Sequence, residues 1–115
     1  MARIWKAYVM LRLTNCIGDV PYSEAADDID QPKYDTQKDI YYTIFDELKD
    51  AVSKLDESAA NNVGSYDLIY GGDAAKWKKF ANSIRLRMAV RISDVDAAKA
   101  KTEAEAAITA GSICR

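Results

Sequence analysis

The chain has 115 residues, 49% of them apolar and 30% charged, with a formal net charge of −2. That makes it one domain at most, or part of a larger one, with enough apolar content for a core and too much for a disordered chain. The small net charge of mixed signs excludes recruitment of nucleic acid or an acidic membrane by a global field, and the absence of His removes the commonest general base and metal ligand.

Ala2 to Ile17 reads as a helix that is apolar almost all round, with Ile4, Tyr8 and Leu11 on one side and Met10, Leu13 and Ile17 on another. Gly18 is a natural stop for it, and Pro21 prevents resumption. The helix starts without a cap close behind Met1, an entry expected of a cut chain. The opening MARIWKAYVMLRLTNC loosely imitates a bacterial lipoprotein signal ending in a cysteine. Arg12 breaks its apolar run, and bulky Asn15 stands before Cys16 where such sites want a small residue, so the helix reading is preferred. No apolar run is long enough to span a bilayer.

Asp19 to Asp35 is a connection with Pro21, Pro32 and the aspartates Asp27, Asp28 and Asp30. The three aspartates lack the Gly and the Glu that a calcium loop of the EF-hand type needs, so a solvated acidic loop is expected. Asp27 and Asp30 as a carboxylate pair for acid–base work on a glycoside fail for want of a pocket. Cys16 and Cys114 belong to no CxxC pair, no metal site is expected, and spacing does not decide whether the two are bonded.

The second helix is predicted over residues 36–57, opened by a TxxD cap from Thr36 to Asp39. Ile40, Ile44, Leu48, Ala51, Val52 and Leu55 form its apolar stripe, widened by Tyr41 and Phe45. The polar loop that follows carries an apolar island at Tyr66, Leu68, Ile69 and Tyr70. Those side chains either pack onto the helices or offer aromatic faces to a sugar ring, and packing is the expectation. Gly71 and Gly72 precede no GK[ST], so no phosphate loop is present.

The third helix, predicted over 74–93 behind the N-cap Asp73, organises the rest. Trp77, Phe80, Ala81, Ile84, Met88 and Ile92 make one apolar face, and Leu86 and Val90 lie opposite, the pattern of a helix sandwiched between neighbours. Lys76, Lys78, Lys79, Arg85, Arg87 and Arg91 scatter around the circumference instead of forming a nucleic-acid stripe. Asp39, Asp46, Glu47 and Asp50 on the second helix are possible partners, and pairing within the chain or with another domain is the expected use. A fourth helix over 97–110, with the small face Ala97, Ala100, Ala104, Ala107 and Ile108, ends at Gly111. Trp5, Lys6 and Tyr8 echo Trp77, Lys78 and Phe80 in type and spacing. The fold class is therefore all-α, with tetratricopeptide-like stacked helix pairs and no sheet of consequence.

Three segments carry a resemblance: GDVPYSEA (Gly18 to Ala25), PKYDTQKDIYYTIFDELKDAV (Pro32 to Val52) and IYGGDAAKWKKFANSIRLRMAVRISDVD (Ile69 to Asp96). In order and spacing they closely resemble the SusD/RagB family of Bacteroidetes outer-membrane lipoproteins, across nearly the whole chain. The resemblance implies a mainly helical, lipid-anchored cell-surface subunit that binds a nutrient, usually a glycan, and works with a TonB-dependent outer-membrane transporter (SusC-like). It implies no catalysis, no cofactor and no nucleic acid. Members are several times longer and begin with a signal peptide and an acylated cysteine. Residues 1–115 are therefore expected to be one helical segment within a larger SusD-like domain, carrying no visible signal or anchor of its own.

The matched residues are packing, capping and turn residues, so no ligand contact is carried to any position, and no catalytic or metal residue is assigned. The competing reading is a free-standing helical-repeat module for protein–protein interaction, with grooves lined by Tyr and Trp.

Overall fold

A computed structural model of the chain describes residues 1–25, 29–57 and 64–111. It contains the helices α1 (Ala2–Ile17), α2 (Gln37–Lys54), α3 (Ala74–Arg91) and α4 (Ala97–Thr109). Among the described residues there is no strand, only an isolated antiparallel bridge between Val20 and Asp35. The acidic-loop residues Asp27 and Asp28, and Cys114 of the cysteine pair, lie outside the described residues.

The ends follow from local chemistry. Gly18 closes α1 with φ 93° and ψ −126°, its N–H bonded to the carbonyl of Thr14. Thr36 caps α2 by accepting from the Asp39 amide at 3.2 Å, and Asp73 caps α3 by accepting from the Lys76 amide at 3.1 Å. Asp96 does the same for α4 through the Lys99 amide at 3.0 Å. Three C-termini fall short of expectation. α2 stops at Lys54, before 57, because Leu55 swings to extended backbone. α3 stops at Arg91, before 93, where Ile92 leaves helical geometry and a turn begins, and α4 stops one residue before 110.

α1 packs on α2 and α3 on α4, with α2 and, to a lesser extent, α1 joining the pairs through α3. This is the stacking of helix pairs expected of a tetratricopeptide-like array. The molecule measures 38 × 37 × 21 Å along its principal axes. Ile4, Ala7 and Leu11 of α1, Ile40, Ile44, Phe45 and Leu48 of α2, and Trp77, Ala81, Ile84 and Met88 of α3 form one continuous core. Each large side chain in it removes enough apolar surface from water to contribute roughly 1.5–3 kcal/mol.

The connection between α1 and α2 is tied down by side chains. The Asp35 carboxylate accepts from the amides of Tyr22 and Ser23 at 3.0 and 2.6 Å and from the Ser23 hydroxyl at 3.0 Å. These bonds, led by the Ser23 amide, hold its carboxyl below the usual range. Tyr22, thus positioned, buries its ring and donates its hydroxyl to Glu47. Gln37 closes the loop, its side-chain amide donating to the Thr14 carbonyl at 2.8 Å and its backbone amide to Asp19 at 2.8 Å.

Two assignments need correction, those of Trp5 and of the Leu86–Val90 side of α3, whereas the exposed apolar face of α1 is what its all-round apolar pattern implies. α1 is covered on the side of Ile4, Ala7 and Leu11 only; Trp5, Val9, Leu13 and Ile17 are exposed, Ile17 at 67%. Trp5 therefore does not repeat the packing role of its echo Trp77, because among the described residues no helix covers its side of α1. On α3, Leu86 is half-buried and Val90 is exposed, so that side is not sandwiched as its composition implied.

Candidate functional site

The residues with chemical potential gather in three places. The first is the loop before α3. Asp67 organises it: its carboxylate accepts from the amides of Ile69, Tyr70 and Gly72 at 3.0, 3.2 and 2.8 Å and from Nε1 of Trp77 at 2.6 Å. The Trp77 indole, followed by these amides, pulls the Asp67 carboxyl down to about 2. The carboxylate is a structural acceptor with its oxygens engaged, a role that sequence reading missed. Its signal is an Asp followed after three residues by paired glycines, the pattern of a side chain folding a turn around itself. Gly71 and Gly72 adopt φ 62° and 80° to bring the amides round.

This loop separates the aromatic pair that the sequence placed together. Tyr70 turns inward, its ring centroid 5.4 Å from Trp77 and 6.0 Å from Phe80. Phe80 in turn meets Tyr8 of α1 at 5.4 Å, and Tyr8 meets Trp5 at 5.4 Å. Tyr66 and Leu68 stay in solvent, 83% and 96% exposed, and Ile69 is also exposed. The expectation that the island packs onto the scaffold therefore holds for Tyr70 alone. Met1, Trp5, Tyr66, Leu68 and Ile69 surround a shallow apolar depression of about 440 Å³, continuous with the stripe of Val9, Leu13 and Ile17 on α1. Among the described residues lining it, the one carboxylate, Asp67, is already satisfied. The surface can receive an apolar or aromatic partner, and it offers no acid–base pair.

The second place is a buried ion cluster between α3, α4 and α2. Glu103 is 1% exposed and accepts from Arg85 at 2.9 Å and from Lys99 at 3.2 Å, with Lys49 also bonded to it. Burial alone would raise its carboxyl; the hydrogen bonds from Lys49, Arg85 and Lys99 outweigh it and hold the group below its ordinary value. Arg85 adds a contact to Asn82 at 3.3 Å. Three α3 cations do pair within the chain, though not with the acids of α2 named as possible partners. Arg85 pairs with α4, Lys76 with its own cap Asp73 at 3.4 Å and Lys78 with Glu57 at 2.9 Å. The acids of α2 are used elsewhere: Asp50 binds Arg3 and Lys54, and Glu47 binds Tyr22.

The third place is the junction of the α2 N-terminus with the α3–α4 turn, where Tyr42 donates its hydroxyl to Asp96 at 2.6 Å. Of the remaining sequence candidates, Asp30 and Cys16 are exposed. Among the described residues no three His, Cys, Asp or Glu side chains are grouped to hold a metal, and no helix is long and apolar enough to cross a membrane.

The stacked helix pairs have close structural counterparts. A family model described as starch-binding, associating with outer membrane, matches residues 1–114. The chain belongs to the SusD-like family. Among solved structures it is similar to a chitin-binding SusD homologue from Flavobacterium johnsoniae, with 39% identity and a TM-score of 0.86 over 92% of this chain and 23% of that one. A chitin-binding protein shares 47% identity with a TM-score of 0.88, over 97% of this chain and 24% of its own. A SusD homologue from Bacteroides uniformis shares 43% identity with a TM-score of 0.86, over 93% and 22%. The chain thus spans about a quarter of the length of these SusD-like structures. No curated protein sequence matches it.

Proposed function

We propose that this chain is a helical scaffold segment within a larger SusD-like domain, part of a lipid-anchored glycan-binding protein at the cell surface. The parent would hand its ligand to a TonB-dependent outer-membrane transporter of the SusC-like kind and carry out no catalysis. The observation that carries this reading is the family match across residues 1–114, to a family described as starch-binding. It is supported by the resemblance to solved SusD-like structures, two of them chitin-binding in their own right. The geometry agrees: the described aromatics are largely consumed in packing, with Tyr8, Tyr70, Trp77 and Phe80 locked in ring contacts. Recognition of a neutral sugar needs several faces and polar groups converging in a preformed site, which the open depression beside Tyr66 does not provide.

The test is calorimetric titration of the 115-residue chain and of the full-length parent with neutral starch- and chitin-derived oligosaccharides. Binding by the parent, with little or none by the segment, is the expected result. Micromolar binding by the segment that Tyr66→Ala abolishes would overturn the scaffold reading and locate a glycan site beside α3. The exposed stripe on α1 also fits the second reading, a module that seats another protein. A stoichiometric complex formed by this segment and lost in Leu13→Lys would favour it.

A further inference from the structure

Between the start of α2 and the turn joining α3 to α4 lies a cleft of about 330 Å³, lined by Lys38, Tyr42, Arg91, Ile92, Val95 and Asp96 among others. We infer that this cleft is a binding subsite for a carboxylate-bearing sugar, a hexuronate, whose carboxylate is held by Arg91 and Lys38.

The argument starts from charge. Among the described residues neither Lys38 nor Arg91 has a carboxylate within ion-pairing distance, whereas Lys76, Lys78 and Arg85 are all paired. The one carboxylate in the cleft, Asp96, is committed: Oδ2 accepts from the Tyr42 hydroxyl at 2.6 Å and Oδ1 from the Lys99 amide at 3.0 Å. Those bonds, the Tyr42 hydroxyl first, together with the nearby charges of Lys38 and Lys99, hold its carboxyl below the ordinary value, and with Lys38 and Arg91 beside the charged Asp96 the cleft lining carries a net charge of one positive unit. A single carboxylate neutralises that lining, while a dianion such as a phosphate would face Asp96 with surplus charge. The planar fork of Arg91 can donate two parallel bonds to a carboxylate, whose two oxygens accept them.

The walls decide the rest of the ligand. The Val95 side chain is exposed and Ile92 is half-buried, which gives one apolar face to a cleft whose other parts are polar. A pyranose presents the same division, a C–H face beside a rim of hydroxyls. Acceptors for those hydroxyls are at hand. Each Asp96 oxygen keeps a second lone pair, and Gln37, its side-chain nitrogen tied to the Thr14 carbonyl at 2.8 Å, leaves its oxygen to accept. Lys38 holds its ammonium 5.6 Å from the centroid of the Tyr42 ring, both residues lining the cleft. The volume is at the small end for ligand clefts and has room for about one ring. The saccharide part of this inference rests on the glycan-binding reading above; the carboxylate part rests on the cleft alone.

The experiment follows backbone amide shifts of the 115-residue chain during titration with trigalacturonate, maltotriose and acetate at low salt. Arg91→Gln, Lys38→Gln and a control Lys101→Gln on the far face of α4 are run alongside, each checked by thermal melting. Trigalacturonate should move amides around Lys38 and Ile92 with an affinity on the order of 0.1–1 mM. Arg91→Gln should weaken this at least about tenfold, Lys38→Gln by less, and Lys101→Gln not at all. Maltotriose should leave these amides in place. Trigalacturonate binding that ignores both cleft substitutions would overturn the site. Equal binding of maltotriose would overturn the carboxylate selection while leaving glycan binding standing, and acetate binding as tightly would overturn the sugar part. No binding of any probe would overturn the subsite without touching the parent's neutral-glycan titration, which tests the broader reading separately.

Discussion

Arg85 Nη2 lies 2.9 Å from Glu103 Oε2, and both side chains are buried, at 7% and 1% exposure. A buried ion pair of this kind is strongly asymmetric: removing one partner leaves the other as an uncompensated charge, while replacing both with apolar groups of similar volume restores a dry interface. Glu103→Ala is expected to cost about 3–5 kcal/mol, since Arg85 then keeps only its contact with Asn82. The double variant Arg85→Met with Glu103→Leu is expected within about 2 kcal/mol of the parent chain, or above it. Urea unfolding of the variants checks this; a double variant as unstable as Glu103→Ala would show that the interface depends on the charged cluster itself, Lys49 and Lys99 included, and not on dry packing alone.

The Asp67 carboxyl sets a pH dependence. Its folded value of about 2 lies below the ordinary 3.8, so folding favours the charged form. The stability it contributes is complete above the ordinary value and is lost as the pH falls through about 2. In Asp67→Asn that titration is gone. The difference in melting temperature between the parent chain and Asp67→Asn should therefore be largest above about pH 4 and shrink steadily toward about pH 2. A difference that stays constant across this range would remove Asp67 from its role as the charged acceptor of the turn.

Trp77 and Ile84 are both buried in the shared core, at 3% and 4% exposure. Replacing either with Ala should cost about 2–5 kcal/mol, a cavity effect that thermal melts will register. Trp77→Phe separates two contributions: it keeps a ring against Tyr70 and Phe80 and deletes the Nε1 donor to Asp67. It should fall between the parent and Trp77→Ala, and it should also flatten the acid dependence described for Asp67.

Gly18 offers a backbone test free of packing. A Cβ added there would meet nothing within 4 Å, yet φ is +93°. Gly18→Ala should therefore destabilise by about 1–3 kcal/mol through conformation alone. A melt that overlays the parent's would mean that the end of α1 adopts another conformation in solution.

The helices were legible because their apolar residues recur at the helical period and because Thr36 and Asp73 are good N-caps and Gly18 and Gly111 good stops, whereas the cap Asp96 supplies to α4 was read only as a break. The echo between Trp5–Lys6–Tyr8 and Trp77–Lys78–Phe80 was legible too, and the two ring systems meet where Tyr8 touches Phe80. What periodicity cannot report is which apolar face another element covers. Trp5, Val90 and Tyr66 carry the same signal as Ile4, Ile84 and Tyr70, and only the tertiary arrangement separates exposed from buried. Glu103 was hidden for a related reason. Four residues after Lys99 in a Lys- and Glu-rich helix, it looks like solvated surface charge, and only the arrival of Arg85 and Lys49 from other helices makes it interior. The cleft beside Arg91 joins residues more than a helix apart in sequence, and no local motif marks it.

The stripe on α1 has a geometric consequence. Trp5, Val9, Leu13 and Ile17 stand four residues apart, so they form one oblique ridge that winds about 120° around the helix from end to end. A helix laid parallel to α1 could cover the Trp5 end or the Ile17 end, but not both. One that interlocks a similar ridge of its own would cross at about −50°, and along that diagonal the ridge meets its partner throughout. The four side chains thus specify a direction as well as an affinity for apolar surface: whatever helix shields them has its heading set by α1.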